Sequence, residues 1–173
     1  MSKKIKEEIL FWLKAIPFCI ALAICLNTFV VVNASVPTPS MENTIKVGER
    51  FIAFRHAYLF SEPERFDVIV FDAPNKDELY VKRIIGMPGE TVTIIDGDVY
   101  IDDSDIPLDN SFEPEKMYGS FGPYEIPTDA YFVMGDNRNH SADARSWKEP
   151  YLLKEAIRGK AIFKYFPIPK MIR

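Results

Sequence analysis

A long uncharged stretch near the N-terminus constrains this chain more than any other feature. Residues 15–32 carry no charged side chain, and only Pro17, Asn27 and Thr28 interrupt the run of apolar residues. A helix over that range would be about 27 Å long, close to the ~30 Å hydrocarbon core of a bilayer. We therefore predict a membrane anchor over residues 15–33.

The charged residues around this anchor indicate its orientation. Four lysines lie within residues 1–14, whereas the next basic residue after the anchor is Lys46. Positive charge is retained on the cytoplasmic side of a membrane. We therefore expect residues 1–14 in the cytoplasm and residues 34–173 outside it.

A cleavable secretory signal is the alternative interpretation of the same stretch. Val32, Asn33 and Ala34 would then form the cleavage site, and the mature chain would begin at Ser35. The apolar region of such signals is typically ~7–15 residues long. The stretch in this chain is longer, which favours the anchor.

Composition excludes several classes of function for the part that follows the anchor. The chain has a net charge of -4 and a sequence pI of about 5.3, which leaves no basic surface for nucleic acid. Both cysteines, Cys19 and Cys25, lie within the anchor, so residues 34–173 contain neither a disulfide nor a cysteine-ligated zinc site. His56 and His140 lack the spacing of metal ligands.

The residues after Val36 show the pattern of an all-β domain. Short runs rich in β-branched and aromatic residues recur without helical periodicity, which predicts an antiparallel β-sandwich or barrel. The predicted strands cover residues 50–54, 67–71, 79–85, 91–95, 99–101, 130–134 and 161–166.

Three further features complete the prediction for this domain. Asp96-Gly97-Asp98 is a strong signal for a hairpin between two of the strands. Residues 150–157 are predicted to form one short helix. Residues 102–127, rich in Asp and Pro, are predicted to be an excursion from the core, flexible or hairpin-like.

Three short segments of the domain carry groups suited to catalysis. The first, residues 37–44, places the hydroxyl of Ser40 within about 20 Å of the end of the anchor. The second, residues 80–86, places Lys82 in an apolar strand, where burial would favour the neutral amine. The third is the polar run of residues 135–145.

Taken alone, Ser40 and Lys82 each have an ordinary structural interpretation. A serine among prolines after a membrane span is commonly a linker residue, and a lysine in a strand commonly keeps its amine in water. Catalysis makes a specific demand, because a serine hydroxyl is a poor nucleophile until a base removes its proton. A lysine can be that base only when neutral, which from its ordinary pKa costs about 4 kcal/mol near pH 7.4.

Together, the anchor and the three segments resemble the type I signal peptidases of bacteria, which are membrane-anchored endopeptidases with a serine–lysine pair. The resemblance extends from the anchor to about residue 147, and residues 40–44 are similar to the nucleophile box of that family. It implies that Ser40 is the nucleophile and Lys82 the general base. It also implies that the Ser40 backbone N–H and the Thr38 hydroxyl donate hydrogen bonds to the oxyanion.

The third segment is the most specific part of the resemblance. It implies that Ser141 hydrogen-bonds the catalytic lysine and that Asp143 and Arg145 form an ion pair that holds the loop. Two positions depart from the family pattern, since Pro39 stands in place of the usual glycine and Ala144 in place of the usual serine. Proline biases the residue before it towards an extended backbone.

The resemblance also implies shallow apolar pockets, because signal peptides end in small residues at alternate positions. An extended substrate would pair with an edge strand and place alternate side chains in these pockets. The residues expected to line them are Val36, Pro37, Met41, Val70, Tyr80 and Val81.

The function implied by the resemblance is removal of N-terminal signal peptides from exported preproteins, by way of an acyl-enzyme on Ser40 at the outer membrane–water interface. It implies no metal and no organic cofactor. The expected partners are preproteins and, through the N-terminal helix, the lipid of a bacterial cell membrane, without nucleic acid. Two alternatives are a self-cleaving protease of the related repressor type and an anchored β module that binds exported proteins without cutting them.

Overall fold

Two antiparallel β-sheets form the framework of the part that follows the N-terminal helix in the computed structural model, which describes residues 3–74, 77–109, 111–113 and 115–172. The elements are helix α1 (Lys3–Cys25), then strands β1 (Val31–Ser35), β2 (Arg50–Phe54), β3 (Val68–Asp72), β4 (Leu79–Gly86), β5 (Thr91–Ile95), β6 (Asp98–Ile101), β7 (Phe121–Glu125), β8 (Ala130–Met134), β9 (Leu152–Leu153), β10 (Ile157–Phe166) and β11 (Lys170–Met171).

The N-terminal helix runs almost directly into the first strand. Helix α1 is followed by a π-helical turn, Leu26–Val30, and together they are long and apolar enough to cross a membrane, with none of the most apolar part buried. Strand β1 begins at Val31, inside the range predicted for the anchor. Hydropathy does not separate an apolar strand from an apolar helix, and β-branched residues such as Val31 and Val32 favour the strand.

The larger sheet has the strand order β1-β2-β10-β3-β4-β8-β9, with β11 paired to β10. Every pairing in it is antiparallel, so the predicted fold class, a mainly β antiparallel domain preceded by one apolar helix, is confirmed. The strands predicted at 50–54 and 130–134 are observed with those bounds.

Strand β3 separates two hydrophobic clusters. Ile69 and Phe71 belong to one cluster and Val68 and Val70 to the other, and all four side chains are buried. This division follows from the alternation of side chains along a strand. The second cluster also contains Val36 and Met41, which come from the segment around the predicted nucleophile.

The register of the sheet places the middle of β4 level with the end of the membrane-length helix. Val31 pairs with Phe54, Phe54 with Lys160, Lys160 with Ile69, and Ile69 with Lys82. Neighbouring strands are about 4.8 Å apart, so the four steps of this row cover about 19 Å. Lys82 therefore lies across the sheet from Val31, the first residue after the helix, at nearly the same position along the strands.

The smaller sheet has the order β6-β5-β7. The hairpin predicted at residues 96–98 joins β5 to β6, and Asp96 and Gly97 have positive φ values of 48° and 88°, as such a turn requires. Strand β7 lies within the predicted excursion and pairs with β5. The last part of residues 102–127 is therefore part of a sheet.

The short helix predicted for residues 150–157 is wrong. Strand β9 and one turn of 3₁₀-helix, Lys154–Ala156, occupy this range. Leu152 pairs with Tyr131 of β8 and is 2% exposed. Burial of this leucine against a neighbouring strand outweighs the weak helix preference of the segment.

Candidate active site

The predicted nucleophile, Ser40, lies at the centre of a 3₁₀ turn formed by Pro39–Met41. Pro39 suits the first position of such a turn because its φ is already helical. Thr38 before it is extended, with φ -123° and ψ 154°, as expected for a residue that precedes proline. Met41, the last residue of the turn, is fully buried and attaches the turn to the hydrophobic core. Ser40 itself is 6% exposed.

Lys82 reaches Ser40 from the neighbouring β4 strand. Its Nζ lies 2.7 Å from the Ser40 Oγ and 3.1 Å from the Val81 carbonyl oxygen, and it donates to both. The residue is 4% exposed, which rules out the interpretation that its amine lies in water. The chain segments that hold the two side chains are 42 positions apart in sequence.

Burial changes the acid–base behaviour of Lys82. It lowers the pKa of the amine to about 8, because removal from water disfavours the ammonium form. The negative charges of Asp143 and Asp136 oppose this effect in part. Neither carboxylate is within ion-pair distance of the amine, nor is any other carboxylate in the described part of the chain. The neutral amine is therefore accessible near neutral pH.

The hydroxyl of Thr38 lies on the same side of the turn as the nucleophile. Its Oγ1 is 3.3 Å from the Ser40 Oγ, a separation at which either hydroxyl can donate. A donor at this position can reach an oxygen that develops charge beside the Ser40 Oγ. Pro39 therefore leaves the Thr38 hydroxyl next to the nucleophile.

The loop of residues 135–145 packs directly against the turn that holds Ser40. The Asn137 backbone N–H donates to the Ser40 carbonyl oxygen over 3.1 Å. A Cβ atom on Gly135 would lie 2.4 Å from the same oxygen and 2.3 Å from the Ser141 Oγ, so only glycine fits there. The close approach of these two backbones fixes the position of the turn that holds Ser40.

Asp143 and Arg145 form a two-pronged ion pair within this loop. The Arg145 Nε and Nη2 donate to the two Asp143 carboxylate oxygens, each over 2.8 Å. Asp143 also accepts from the Gly135 N–H at 3.0 Å, and Arg145 donates to the Arg138 carbonyl oxygen at 2.6 Å. The pair therefore ties both ends of the loop together, and Asp143 is fully buried.

Ser141 is the predicted site residue whose expected hydrogen bond is not formed. Its Oγ is buried and has no hydrogen-bond partner among the described residues, so it does not contact the Lys82 amine. The oxygen lies beside Gly135, close to the backbone of Ser40. A role for Ser141 in orienting Lys82 stays a prediction.

A groove with a volume of about 420 Å³ opens beside Ser40 and Lys82. All six residues predicted to bind substrate line it: Val36, Pro37, Met41, Val70, Tyr80 and Val81. The groove is also lined by residues that the sequence analysis did not assign to it, namely Ala34, Ser35, Glu78, Leu79, His140 and Ala142. Glu78 and His140 are polar groups on an otherwise largely apolar wall.

Sequence reasoning also missed a buried ion pair between strand β4 and the loop of residues 135–145. Arg83 donates from Nε and Nη2 to the two carboxylate oxygens of Asp136, at 2.8 and 2.7 Å. The Thr44 hydroxyl donates to Asp136 and accepts from Arg83. Both charged residues are at most 1% exposed. The available signal was an arginine inside an apolar strand, directly after Lys82.

The described residues hold no group of three or more His, Cys, Asp or Glu side chains arranged to bind a metal ion.

Comparison with known proteins shows the family of the chain. The model of a family described as signal peptidase, peptidase S26, matches residues 9–166. The chain belongs to the signal peptidase family. This confirms the resemblance found in the sequence. Members of the family are peptidases that remove signal peptides from exported preproteins, and the apolar N-terminal helix is consistent with their association with a membrane.

Individual relatives match the chain over most of its length. It is 34% identical over 170 residues to signal peptidase I of Bacillus licheniformis, covering 94% of this chain and 91% of that protein. It is 34% identical over 167 residues to signal peptidase I of Leptolyngbya laminosa, covering 92% and 80%. A crystal structure of a signal peptidase I from Enterococcus faecalis V583 aligns with a TM-score of 0.48 and 30% identity over 58% of this chain and 97% of that one.

Proposed function

We propose that this chain is a serine endopeptidase that removes signal peptides from exported preproteins, with Ser40 as nucleophile and Lys82 as general base. The observation that carries the proposal is the 2.7 Å separation between the Lys82 Nζ and the Ser40 Oγ, with both residues buried. A nucleophile and a base at hydrogen-bond distance are what this chemistry requires.

The neutral Lys82 amine takes the proton of the Ser40 hydroxyl while the Ser40 Oγ attacks the carbonyl carbon of the scissile bond. The ammonium then gives its proton to the departing amine, which leaves an acyl-enzyme on Ser40. A water molecule, deprotonated by the neutral Lys82 amine, attacks this ester, and the resulting ammonium gives its proton to the Ser40 Oγ as that oxygen leaves the acyl group. With a pKa of about 8, neutralising Lys82 at pH 7.4 costs about 1 kcal/mol, against about 4 kcal/mol for an exposed lysine.

The oxyanion of the tetrahedral intermediate would accept hydrogen bonds from the Ser40 backbone N–H and the Thr38 hydroxyl. The position of the Thr38 Oγ1, 3.3 Å from the Ser40 Oγ, supports this assignment. Loss of one such donor typically raises the barrier by about 3–4 kcal/mol.

The groove suits an extended peptide with small side chains. Strand β1 pairs on one side only, with β2, and the residues of β4 that pair with β8 begin at Arg83. The first half of β4, residues 79–82, therefore has an open edge along the groove. A substrate strand can hydrogen-bond to such an edge while alternate side chains enter pockets. Buried Met41 and Val70 close the bottom of the groove and favour small apolar side chains there.

The sheet supports cleavage close to the membrane surface. Lys82 lies in the same row of paired residues as Val31, the first residue after the membrane-length helix. We propose a single span with residues 1–14 in the cytoplasm and the β domain on the outer side, in a bacterial cell membrane. The cleaved-signal alternative conflicts with the sheet, because a mature chain that began at Ser35 would lose Val31–Ala34 from β1, including buried Val32.

The test is cleavage of a purified preprotein by the full-length chain in detergent. Wild type should release the signal peptide, and Ser40→Ala and Lys82→Met should each abolish turnover. Lys148→Met, at an exposed position, is the matched control and should keep wild-type activity. Wild-type turnover in either site variant would refute the serine–lysine mechanism.

A further inference from the structure

The excursion brings one segment back across the two loops that form the active site. Residues 111–113 and 115–118, which we call the strap, contact the Ser40 loop on one side and the 135–145 loop on the other. None of these residues lines the groove. The strap therefore contacts the two loops without entering the groove.

The contact with the Ser40 loop is made through Asn43. Its Nδ2 donates to the Phe112 carbonyl oxygen over 2.6 Å, although the two residues are 69 positions apart. Asn43 has a φ of 95°, in the left-handed region that asparagine tolerates better than most residues. The hydrogen bond thus fixes a turn residue three positions after the nucleophile.

The Phe112 side chain covers two buried cations. The guanidinium carbon of Arg83 lies 4.3 Å from the centre of its ring, and that of Arg138 lies 5.5 Å from it. Both arginines are 1% exposed. Cations over an aromatic face are attracted more strongly where water is excluded. One aromatic ring therefore links the arginine beneath Ser40 to an arginine of the 135–145 loop.

Glu113 supplies charge that the buried cluster needs. Its carboxylate forms an ion pair with Arg138 that is almost fully buried. Three arginines and three carboxylates make up the cluster in the described chain: Arg83, Arg138, Arg145, Glu113, Asp136 and Asp143. Removal of one partner from a buried pair leaves an uncompensated charge, which is strongly unfavourable. Without Glu113, Arg138 would compete for the carboxylates that hold the other two arginines.

The remainder of the strap holds the far end of the 135–145 loop. Asn139 donates to the Glu115 carboxylate at 2.8 Å and accepts from the Tyr118 N–H at 2.9 Å. The Arg145 Nη1 lies 2.9 Å from the Met117 sulfur, and Met117 is 2% exposed. The strap is therefore attached along most of its length to the loop that contains Ser141 and Asp143.

We propose that the strap is a positioning element of the peptidase, in which Phe112 and Glu113 hold the turn of Ser40 in register with the loop that packs behind it. This inference rests on the proposed function of Ser40 and Lys82. Proton transfer across 2.7 Å depends on the alignment of these two loops. A displacement of about 1 Å at a reacting group can reduce the rate about 100-fold.

Steady-state cleavage of a preprotein by full-length Phe112→Ala, Glu113→Gln and Asn43→Gly tests the proposal. Asn43→Gly still permits the left-handed backbone and removes the side-chain hydrogen bond. Each variant should lower kcat at least about tenfold and change KM less than about twofold, because the strap does not touch the groove. Ile106→Ala, also in the excursion but 77% exposed, is the control and should match wild type.

Hydrogen–deuterium exchange of the same proteins gives a readout that does not depend on activity. Faster exchange in residues 40–45 and 135–141 of the strap variants, but not of Ile106→Ala, would support the proposal. Wild-type kcat, a change confined to KM, or unchanged exchange would overturn it. If Phe112→Ala does not fold, Glu113→Gln, which keeps the shape of the side chain, decides the question by the same criteria. If wild type itself fails to cleave, the proposed function falls, whereas exchange still tests the strap.

Discussion

Replacement of the buried Lys82 amine should make the protein more stable at neutral pH while it abolishes the proposed peptidase activity. Burial lowers the pKa of Lys82 from 10.5 to about 8. The protonated amine therefore costs the folded state about 3 kcal/mol at pH 7. Lys82→Met removes this cost and replaces the side chain with an unbranched apolar one of similar length.

The variant also loses two hydrogen bonds, from the Lys82 Nζ to the Ser40 Oγ and to the Val81 carbonyl oxygen. Each hydrogen bond contributes about 1 kcal/mol. Subtracted from the removed cost of about 3 kcal/mol, their loss leaves Lys82→Met about 1 kcal/mol more stable than wild type at pH 7. Between pH 8 and 10.5 the unfolded chain binds a proton that the folded chain does not, so wild-type stability rises with pH in this range. Above pH 10.5 the protonation cost of wild type has vanished, so the loss of the two hydrogen bonds alone separates the proteins. Lys82→Met should then be about 2 kcal/mol less stable than wild type.

Urea unfolding in detergent at pH 7 and pH 10.5 would measure this change of sign. The fluorescence of Trp147 reports on the β domain, because the centre of its ring lies 5.9 Å from that of Phe71. Lys148→Met, which removes an exposed lysine, is the matched control. A difference between Lys82→Met and wild type that does not change with pH would refute the argument that burial depresses the pKa of Lys82.

Three further substitutions test the surroundings of the nucleophile. Thr38→Val should lower turnover at least about tenfold without unfolding the domain; unchanged kinetics would remove Thr38 from the oxyanion site. Gly135→Ala should inactivate the protein, because its Cβ would lie 2.4 Å from the Ser40 carbonyl oxygen; normal turnover would show that this close approach is not needed. Asp143→Asn should lower the midpoint of urea unfolding by leaving buried charge on Arg145 unpaired; an unchanged midpoint would contradict the structural role of the pair.

The sequence predicted the sheet well wherever local pattern and tertiary environment agree. Strand β4 was expected at residues 79–85 and observed at Leu79–Gly86, because apolar alternation and burial favour the same conformation. The prediction for residues 150–157 failed because pairing with a partner strand, and not local preference, decides the conformation of a short Leu-Leu segment. The apolar helix ends at Val30, three residues before the predicted end of the anchor, because valines suit both a membrane helix and a strand.

The candidate site shows a similar division. The proximity of Ser40 and Lys82 was inferred from the family resemblance, and neither residue alone would have indicated it. The contacts of Arg83 with Asp136, and of Asn43 with Phe112, join residues 53 and 69 positions apart. Such pairs leave no local pattern, since only the folded topology brings them together. For the same reason the excursion gave no sign in the sequence that it returns to the active site.

Direct titration of the Lys82 amine tests the central claim, that the fold keeps a proton acceptor beside Ser40. Nitrogen NMR of the full-length protein labelled with ¹⁵N-lysine in detergent would follow each amine, and Lys82→Met would identify the relevant signal by its absence. The structure predicts a titration midpoint of about 8 for this amine. A midpoint near 10.5, the ordinary value for a lysine, would show that the amine stays charged at neutral pH and would contradict the proposed mechanism.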